Sequence, residues 1–157
     1  MNEQEKQALV TALRLLTATP KSRKGLADKL RQKGYPREVL EVTLDHLEKQ
    51  GLLNDRALAH SLCQSYVHYK FSGRKRIAFE LGKKGIRENL IHEALEGYSP
   101  EEERQKAMEL AQFKWERASR LDKTKRRKKV YDFLLHRGFD FNIARETIEQ
   151  LLKGSPA

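Results

Sequence analysis

The sequence repeats itself three times around a glycine, and this repetition limits the chain to a small set of folds. Gly34, Gly85 and Gly138 are 51 and 53 residues apart, and each follows Lys or Arg and precedes a large apolar residue. Apolar residues also recur eight and four positions before each glycine and five and ten positions after it. A period of this length is typical of helical repeat proteins. The registered apolar residues are Leu26, Leu30, Val39 and Leu44 in the first copy, Ile77, Leu81, Leu90 and Leu95 in the second, and Val130, Leu134, Ile143 and Ile148 in the third.

Each copy is predicted to fold as three helices. Apolar residues four positions before the glycine and five after it fit a helix, a glycine turn and a second helix. Glycine ends a helix at low steric cost because it accepts the left-handed backbone conformation. A further helix precedes each pair. Its start is indicated by Asn54 in the second copy and by Ser99-Pro100 in the third, which are residue types favoured at helix N-termini.

The predicted fold is therefore all-α, with three tandem three-helix repeats that resemble helix-turn-helix units. We place the repeats at residues 1–52, 53–98 and 99–153, followed by a short tail at 154–157. Units of about 50 residues bury little surface alone, so neighbouring repeats should stack into an elongated, curved array.

The charge of the chain predicts a polyanionic partner. Lys and Arg total 32 against 22 Asp and Glu, which gives a net charge of +10. Nucleic acid is the first candidate, an anionic membrane the second and an acidic protein surface the third. No stretch approaches the roughly 20 apolar residues of a membrane-spanning helix. The single cysteine, Cys63, is expected to be buried, and its lack of a disulfide partner fits the cytoplasm.

The basic residues concentrate in the second helix of each repeat, counted with the turn before it. Residues 20–33 and 70–84 each carry six basic residues and one acidic residue, and residues 123–137 carry seven and one. The third helices are net acidic. Regular stacking would align the second helices into a basic stripe that binds phosphate or carboxylate without reading sequence. The candidate contact residues are Arg23, Lys24, Arg74, Lys75, Arg76, Lys83, Lys84, Lys125, Arg126, Arg127 and Lys128.

Other interpretations of these features stay open. Each basic run could be a solvated helix face. Residues 26–53 could form a DNA-reading helix-turn-helix, although its second helix carries Glu38, Glu41, Asp45 and Glu48, and carboxylates facing DNA are costly. An adaptor for an acidic protein is a third possibility. The run at 125–129 is interpreted as the start of a basic helix rather than a localisation signal or linker. Tyr66, Tyr69, Phe71 and Trp115 could stack on bases, but their helical spacing favours core positions.

The sequence offers no residue set for catalysis. It lacks a nucleophile elbow, and Lys83-Lys84-Gly85 lacks the upstream glycines of a phosphate-binding loop. His60 and Cys63 share a helix face, but no second pair of zinc ligands accompanies them. We therefore expect a non-enzymatic protein without a metal or other cofactor.

Four segments of the chain stand out as motifs. They are Leu26-x3-Leu30-x2-Lys33-Gly34, Gly51-Leu52-Leu53-Asn54-Asp55-Arg56-Ala57-Leu58-Ala59, Arg76-Ile77-x2-Glu80-Leu81-x2-Lys84-Gly85-Ile86, and Lys125-Arg126-Arg127 with Arg137-Gly138-Phe139. In these segments the chain resembles the RecX family of recombination regulators, and the resemblance covers nearly the whole chain. It departs at Leu58, where the family usually has Phe, and at residues 69–73, which hold less Arg than usual.

The resemblance implies three tandem three-helix repeats and a protein that lodges in the groove of the RecA recombinase filament on single-stranded DNA. There it would restrain ATP hydrolysis and strand exchange, with no cofactor. Together with the charge pattern, it predicts a cytoplasmic monomer whose own binding to single-stranded DNA is weak and indifferent to sequence. The alternative is a stand-alone helix-turn-helix transcription regulator.

Overall fold

A computed structural model describes residues 1–154, which form nine α-helices and contain no β-strand, so the all-α prediction is confirmed. The rest of the predicted tail, residues 155–157, lies outside the described residues. The helices are α1 (Glu3–Ala18), α2 (Arg23–Gln32), α3 (Arg37–Lys49), α4 (Asp55–His68), α5 (Arg74–Lys83), α6 (Glu88–Leu95), α7 (Pro100–Arg117), α8 (Lys123–His136) and α9 (Phe141–Lys153). We refer to α1–α3, α4–α6 and α7–α9 as repeats one, two and three.

The chain divides into two compact units, which are described separately below. The first unit consists of Met1–Ser61 and Leu81–Ile91, and the second of Leu62–Glu80 and the chain from His92 onward. Each unit has an apolar core at the meeting point of three helices. The first core contains Ala12, Leu26, Leu30, Leu40, Leu44, Leu47 and Leu53, and the second contains Ala107, Ala111, Val130, Leu134, Phe139, Ile143, Ala144 and Ile148.

Side-chain caps fix where the helices begin. The predicted cap Asn54 accepts the Ala57 N–H at 3.0 Å, and Ser99 accepts the Glu102 N–H at 3.0 Å with Pro100 as the first helical residue. Both predicted starts are confirmed. Asp122 caps α8 in the same way, so the basic run that follows it is helical, as predicted, and is not a linker.

The three repeated glycines end the second helices as predicted. Gly34, Gly85 and Gly138 have φ angles of +95°, +88° and +94°, in the left-handed region that glycine tolerates. In each turn the N–H of the following residue bonds to the carbonyl five positions earlier, at 3.1–3.3 Å. The glycine N–H bonds to the carbonyl three positions earlier, which completes a Schellman motif. The following apolar residue is thereby turned back toward the helix that has just ended.

The registered apolar pattern also predicts burial well. Leu26, Leu30, Ile77, Leu81, Val130 and Leu134 are all 0% exposed, and Cys63 is 2% exposed. One aromatic prediction is wrong: Tyr69 is 85% exposed, because α4 ends at His68 and helical spacing no longer applies beyond it. Tyr66 is buried and Trp115 packs against the second core, as predicted. These buried residues recur at the spacing that places side chains on one face of a helix.

Candidate nucleic-acid interface

The eleven predicted contact residues fall into two groups that the sequence did not separate. One group is partly buried and bonded to other parts of the protein, and it consists of Arg23, Arg74, Arg76 and Arg126. The other group is exposed, and it consists of Lys24, Lys75, Lys83, Lys84, Lys125, Arg127 and Lys128. The first group lies largely where the second helix of one repeat contacts the next repeat. This contact occurs twice. We call the contact between repeats one and two the first joint and the contact between repeats two and three the second joint, and each lies within a single unit.

The first joint is in the first unit and connects the start of α2 to repeat two. The N–H of Arg23, which has no partner within its helix, donates to the Asp55 carboxylate at 2.8 Å. The Ser22 hydroxyl accepts the N–H of Gly25 and donates to the carbonyl oxygen of Lys84. A Cβ on Gly85 would lie 2.8 Å from the Cβ of Lys24. The joint therefore depends on a side-chain hydroxyl, a carboxylate and a glycine.

The Arg23 guanidinium neutralises one face of α3. It lies 2.9 Å from Glu41, 3.0 Å from Asp45 and 3.0 Å from Glu48. These carboxylates are four and three residues apart, so they share one helix face. Partial burial opposes ionisation, but the hydrogen bonds to Glu48 and Asp45 outweigh it and raise the pKa of Arg23. Arg23 therefore binds the acidic helix of its own repeat.

The second joint is in the second unit and connects the start of α5 to repeat three. Here the two backbones meet directly: Gly73 N–H donates to Arg137 O at 2.9 Å, and Lys75 N–H donates to Gly138 O at 3.1 Å. A Cβ on Gly138 would lie 2.4 Å from the Arg76 nitrogen, and one on Gly73 would lie 2.4 Å from the Gly138 carbonyl carbon. Only glycine allows this approach at both positions.

Arg74 and Glu103 form a buried ion pair at the second joint. Glu103, at 5% side-chain exposure, accepts the Arg74 backbone N–H at 2.9 Å and lies 3.2 Å from the Arg74 Nε. Arg74 also donates to the Leu95 carbonyl at 3.0 Å and lies over the Tyr98 ring. Burial raises the pKa of Glu103, and the hydrogen bonds from Arg74 only partly offset that rise. Arg74 is thus bonded within the protein through its backbone N–H, its Nε and one terminal nitrogen.

Two further arginines act as structural donors. Arg76 donates to the His136 carbonyl at 3.3 Å and lies 3.6 Å from Glu80. Arg126 donates from Nε and Nη2 to the Trp115 carbonyl, at 2.8 and 2.6 Å, and its guanidinium lies 4.0 Å from the centre of the Trp115 ring. Both side chains hold the start of a second helix against neighbouring structure.

Five cations of the exposed group are available to a partner. Within residues 1–154, Lys24, Lys75, Lys84, Lys125 and Arg127 are exposed and their side chains form no ion pair. Lys128 is exposed and lies 2.7 Å from Asp132. Cations that remain hydrated and unpaired can neutralise a polyanion without first breaking an internal contact.

Several joint residues were missed by the sequence prediction, namely Ser22, Asp55, Gly73, Glu103 and Arg137. Of these residues, only Asp55 and Glu103 could have been noticed in the sequence, because both are acidic residues in the first turn of a predicted helix. Their partners are 32 and 29 residues away, beyond what helical spacing can reveal.

Residues 1–154 hold no group of three or more His, Cys, Asp and Glu side chains arranged to bind a metal ion. None of the helices they form is long and apolar enough to span a membrane.

Three family models match the chain in order. The first three-helix domain of RecX matches residues 8–47, the second matches residues 54–95 and the third matches residues 97–148. These matches assign each helical triplet to its own domain type within one family.

Whole-length relatives and solved structures agree with the family models. The regulatory protein RecX of Streptomyces lividans is 35% identical over 147 residues, covering 94% of this chain and 78% of the relative. That of Chlorobium limicola is 35% identical over 152 residues, covering 96% and 92%. The crystal structure of RecX from Lactobacillus salivarius superposes with a TM-score of 0.86 at 26% identity, covering 98% of this chain and 99% of that one. The chain belongs to the RecX family of regulatory proteins.

Proposed function

We propose that this protein is a non-enzymatic regulator that binds the RecA–single-stranded DNA filament and lowers its ATPase activity and strand exchange. It acts in the cytoplasm, as a monomer and without a cofactor. Membership of a family of regulatory proteins supports a regulatory role. The observation that carries the proposal is the set of exposed, unpaired cations on the second helices, which suits a long anionic partner.

The five exposed cations without an ion pair, rather than all eleven predicted residues, are the proposed contacts. Lys24 and Lys75 occupy equivalent positions in repeats one and two, 51 residues apart, and both are exposed. Each directly follows an arginine that is engaged within the protein. Filament binding by the lysines would therefore leave the arginines at the joints undisturbed.

The helix-turn-helix alternative receives less support from the charges. In repeat one the recognition helix of such a motif would be α3, which exposes Glu41, Asp45 and Glu48. Bringing them to a DNA groove would place carboxylates against phosphates and would require Arg23 to release them. Tight binding of one duplex sequence without recombinase, in a gel-shift assay, would restore this alternative.

The test is the recombinase ATPase rate on single-stranded DNA with the protein titrated in. The wild-type chain should inhibit in a saturable way. A variant with Lys24, Lys75, Lys84, Lys125 and Arg127 all changed to Glu should inhibit at least tenfold less tightly, because the charge that meets the filament is reversed. Far-UV circular dichroism should be unchanged, since these side chains form no internal ion pair.

A control variant of equal charge separates position from net charge. It reverses five exposed cations on the first and third helices or at their starts: Lys6, Arg14, Lys49, Arg87 and Lys153. This control should keep most of the inhibition. Equal loss in both variants would mean that only total charge matters, and no inhibition by the wild-type chain at any concentration would contradict the proposed function.

A further inference from the structure

A small cleft in the first unit collects lysine side chains from two repeats. It has a volume of about 240 Å³ and lies beside the first joint, between the start of α2 and the glycine turn after α5. Its cationic lining residues are Lys21, Lys24, Lys29, Lys83 and Lys84, and its one acidic lining residue is Asp28. Lys21 and Lys29 were not among the residues predicted from the sequence to bind a partner.

Three of the lysines in this cleft have no ion-pair partner among the described residues. Asp28 is already paired, because its carboxylate lies 2.9 Å from Arg31, which does not line the cleft. Lys24, Lys29 and Lys84 are exposed, and within the described chain their side chains form no ion pair. Lys21 donates to the carbonyls of Leu15 and Thr19, at 3.5 and 3.3 Å, and so holds the end of α1. At least three ammonium groups are therefore unneutralised around one small space.

The joint keeps these lysines together. Ser22 is 2% exposed and bonds to the Lys84 carbonyl, which fixes the backbone that carries Lys84 beside α2. The close approach of Gly85 to Lys24 leaves no room for a side chain on the turn. The backbone N–H groups of Arg23 and Gly25 are bonded to Asp55 and Ser22, so the lysines, not the helix end, attract an anion.

We infer that this lysine cleft is a binding site for a phosphate group of the DNA backbone, and that the first joint is a phosphate contact of the protein. The inference rests on the proposed function for the identity of the nucleic acid. The cleft is smaller than the roughly 300–1,000 Å³ of an ordinary small-molecule pocket, and it has room for a phosphate group. Its cationic lining residues are all lysines, which bind phosphate as point charges.

Repeat one supplies a matched control at the equivalent position. Lys33 precedes Gly34 as Lys84 precedes Gly85, and both lysines are exposed. A Cβ on Gly34 would meet no atom within 4 Å, whereas Gly85 is packed against Lys24. Lys33 and Lys84 thus share the same turn, but only Lys84 lines the cleft.

The test measures how binding to single-stranded DNA depends on salt. A labelled oligo-dT of about 30 nucleotides is titrated with the full chain by fluorescence anisotropy at several salt concentrations. The K24Q/K84Q variant should lose one phosphate contact, which lowers the salt slope by about 0.7 and weakens binding roughly fivefold to tenfold at about 50 mM salt. K33Q should change affinity less than about twofold, because it leaves the cleft intact.

Two other probes identify the ligand chemistry. An oligo-dT with methylphosphonate linkages has no backbone charge, so wild-type and K24Q/K84Q chains should bind it equally weakly. Pyrophosphate should shift the amide resonances of Gly25 and Gly85 only if the cleft also takes free phosphate; a shift with oligo-dT alone assigns it to the nucleic acid backbone. An equal loss of affinity for polyglutamate and oligo-dT in K24Q/K84Q would overturn the phosphate assignment in favour of an acidic protein partner.

The DNA-binding and ATPase measurements together show whether the cleft inference or the proposed function is wrong. If wild-type chain inhibits the recombinase ATPase but K24Q/K84Q binds oligo-dT with wild-type affinity and salt slope, the cleft inference is wrong and the function stands. If K24Q/K84Q loses DNA affinity as expected but wild-type chain never inhibits the recombinase, the function is wrong and the cleft stands.

Discussion

The two joints use the same arginine position in different ways. Arg23 and Arg74 are both the first residue of a second helix, and each donates its backbone N–H to a carboxylate from the first turn of the next repeat. At the first joint the guanidinium then lies among three carboxylates of its own repeat, which are 46–60% exposed. At the second joint it pairs with Glu103, which is 5% exposed.

This difference shows that the same arginine position can contribute unequally to the free energy of unfolding in two repeats. Solvent-exposed ion pairs contribute little, because water and salt screen them and ordering the side chains costs entropy. A buried pair contributes little relative to an apolar replacement, but removing one partner is costly because the other is left buried and uncompensated. The second joint should therefore be far more sensitive to substitution than the first.

The largest expected effect is that of an added methyl group on Gly138. G138A places a side chain in a left-handed turn, with its Cβ 2.4 Å from the Arg76 nitrogen and 2.8 Å from the Arg76 Cα. The conformational cost and the backbone clash together should lower the free energy of unfolding by about 3 kcal/mol or more. Urea denaturation followed by circular dichroism measures this value.

Alanine substitutions at the equivalent glycines, Gly34 and Gly85, should lower the free energy of unfolding by less. G34A has a similar φ angle but no atom within 4 Å of the added Cβ, so it should cost only about 1 kcal/mol. G85A should fall between them, since its added Cβ would lie 2.8 Å from the Lys24 Cβ, whereas at Gly138 it would lie within 2.4 Å of a backbone nitrogen. Equal losses at Gly34 and Gly138 would show that the turn conformation alone matters, and that the close backbone contact of the second joint does not.

Removal of the buried carboxylate comes next. E103A leaves the Arg74 N–H and guanidinium without their acceptor and should lower the free energy of unfolding by about 2–3 kcal/mol. The 35% exposure of the Arg74 side chain keeps the cost at the lower end, because water can reach it. The matched change at the first joint, E41A, should cost less than about 0.5 kcal/mol, since Asp45 and Glu48 remain bonded to Arg23.

A smaller effect is expected for Arg23 itself. R23A leaves three mutually repelling carboxylates on α3, but each is about half exposed and can be hydrated. The cost should be about 1 kcal/mol and should shrink at high salt, because salt screens both the lost attraction and the new repulsion. A loss as large as that of E103A would mean that exposure does not distinguish the joints.

The subtlest prediction concerns pH. Because burial raises the pKa of Glu103 above its usual value, the folded chain keeps this proton at a pH where the unfolded chain has lost it. The contribution of Glu103 to stability is therefore full below its ordinary pKa of about 4.3 and declines as pH rises through the higher folded value. Compared with E103Q in urea titrations, the wild-type chain should lose stability as pH rises above the ordinary glutamate pKa. A relative gain would show that Arg74 outweighs burial.

The helical framework could be predicted from sequence because its determinants are local. The glycine turn at Gly85 and the buried positions Ile77 and Leu81 all lie within one helix and its end. The fate of each basic residue could not be predicted, because it depends on partners far away in the chain. Arg23 and Lys24 are adjacent and equally basic, yet one is bonded to α3, 18–25 residues away, and the other is exposed.

Counting charge per helix therefore combined cations that are bonded within the protein with cations that are exposed and unpaired. The prediction that Tyr69 is a core residue was wrong for a related reason. It assumed that helical spacing extends to Tyr69, whereas α4 ends at His68. Both errors arise where local periodicity stops and tertiary contacts decide the environment.

The central claim is that, at two equivalent positions, an arginine holds the joint and the lysine after it contacts the filament. The most direct measurement is the affinity of two double variants for the RecA–single-stranded DNA filament: R23Q/R74Q and K24Q/K75Q, each of which removes two positive charges. K24Q/K75Q should bind at least fivefold more weakly at low salt with an unchanged melting temperature, while R23Q/R74Q should melt several degrees lower but bind nearly normally while folded. Weaker binding by the arginine variant, with wild-type affinity in the lysine variant, would contradict it.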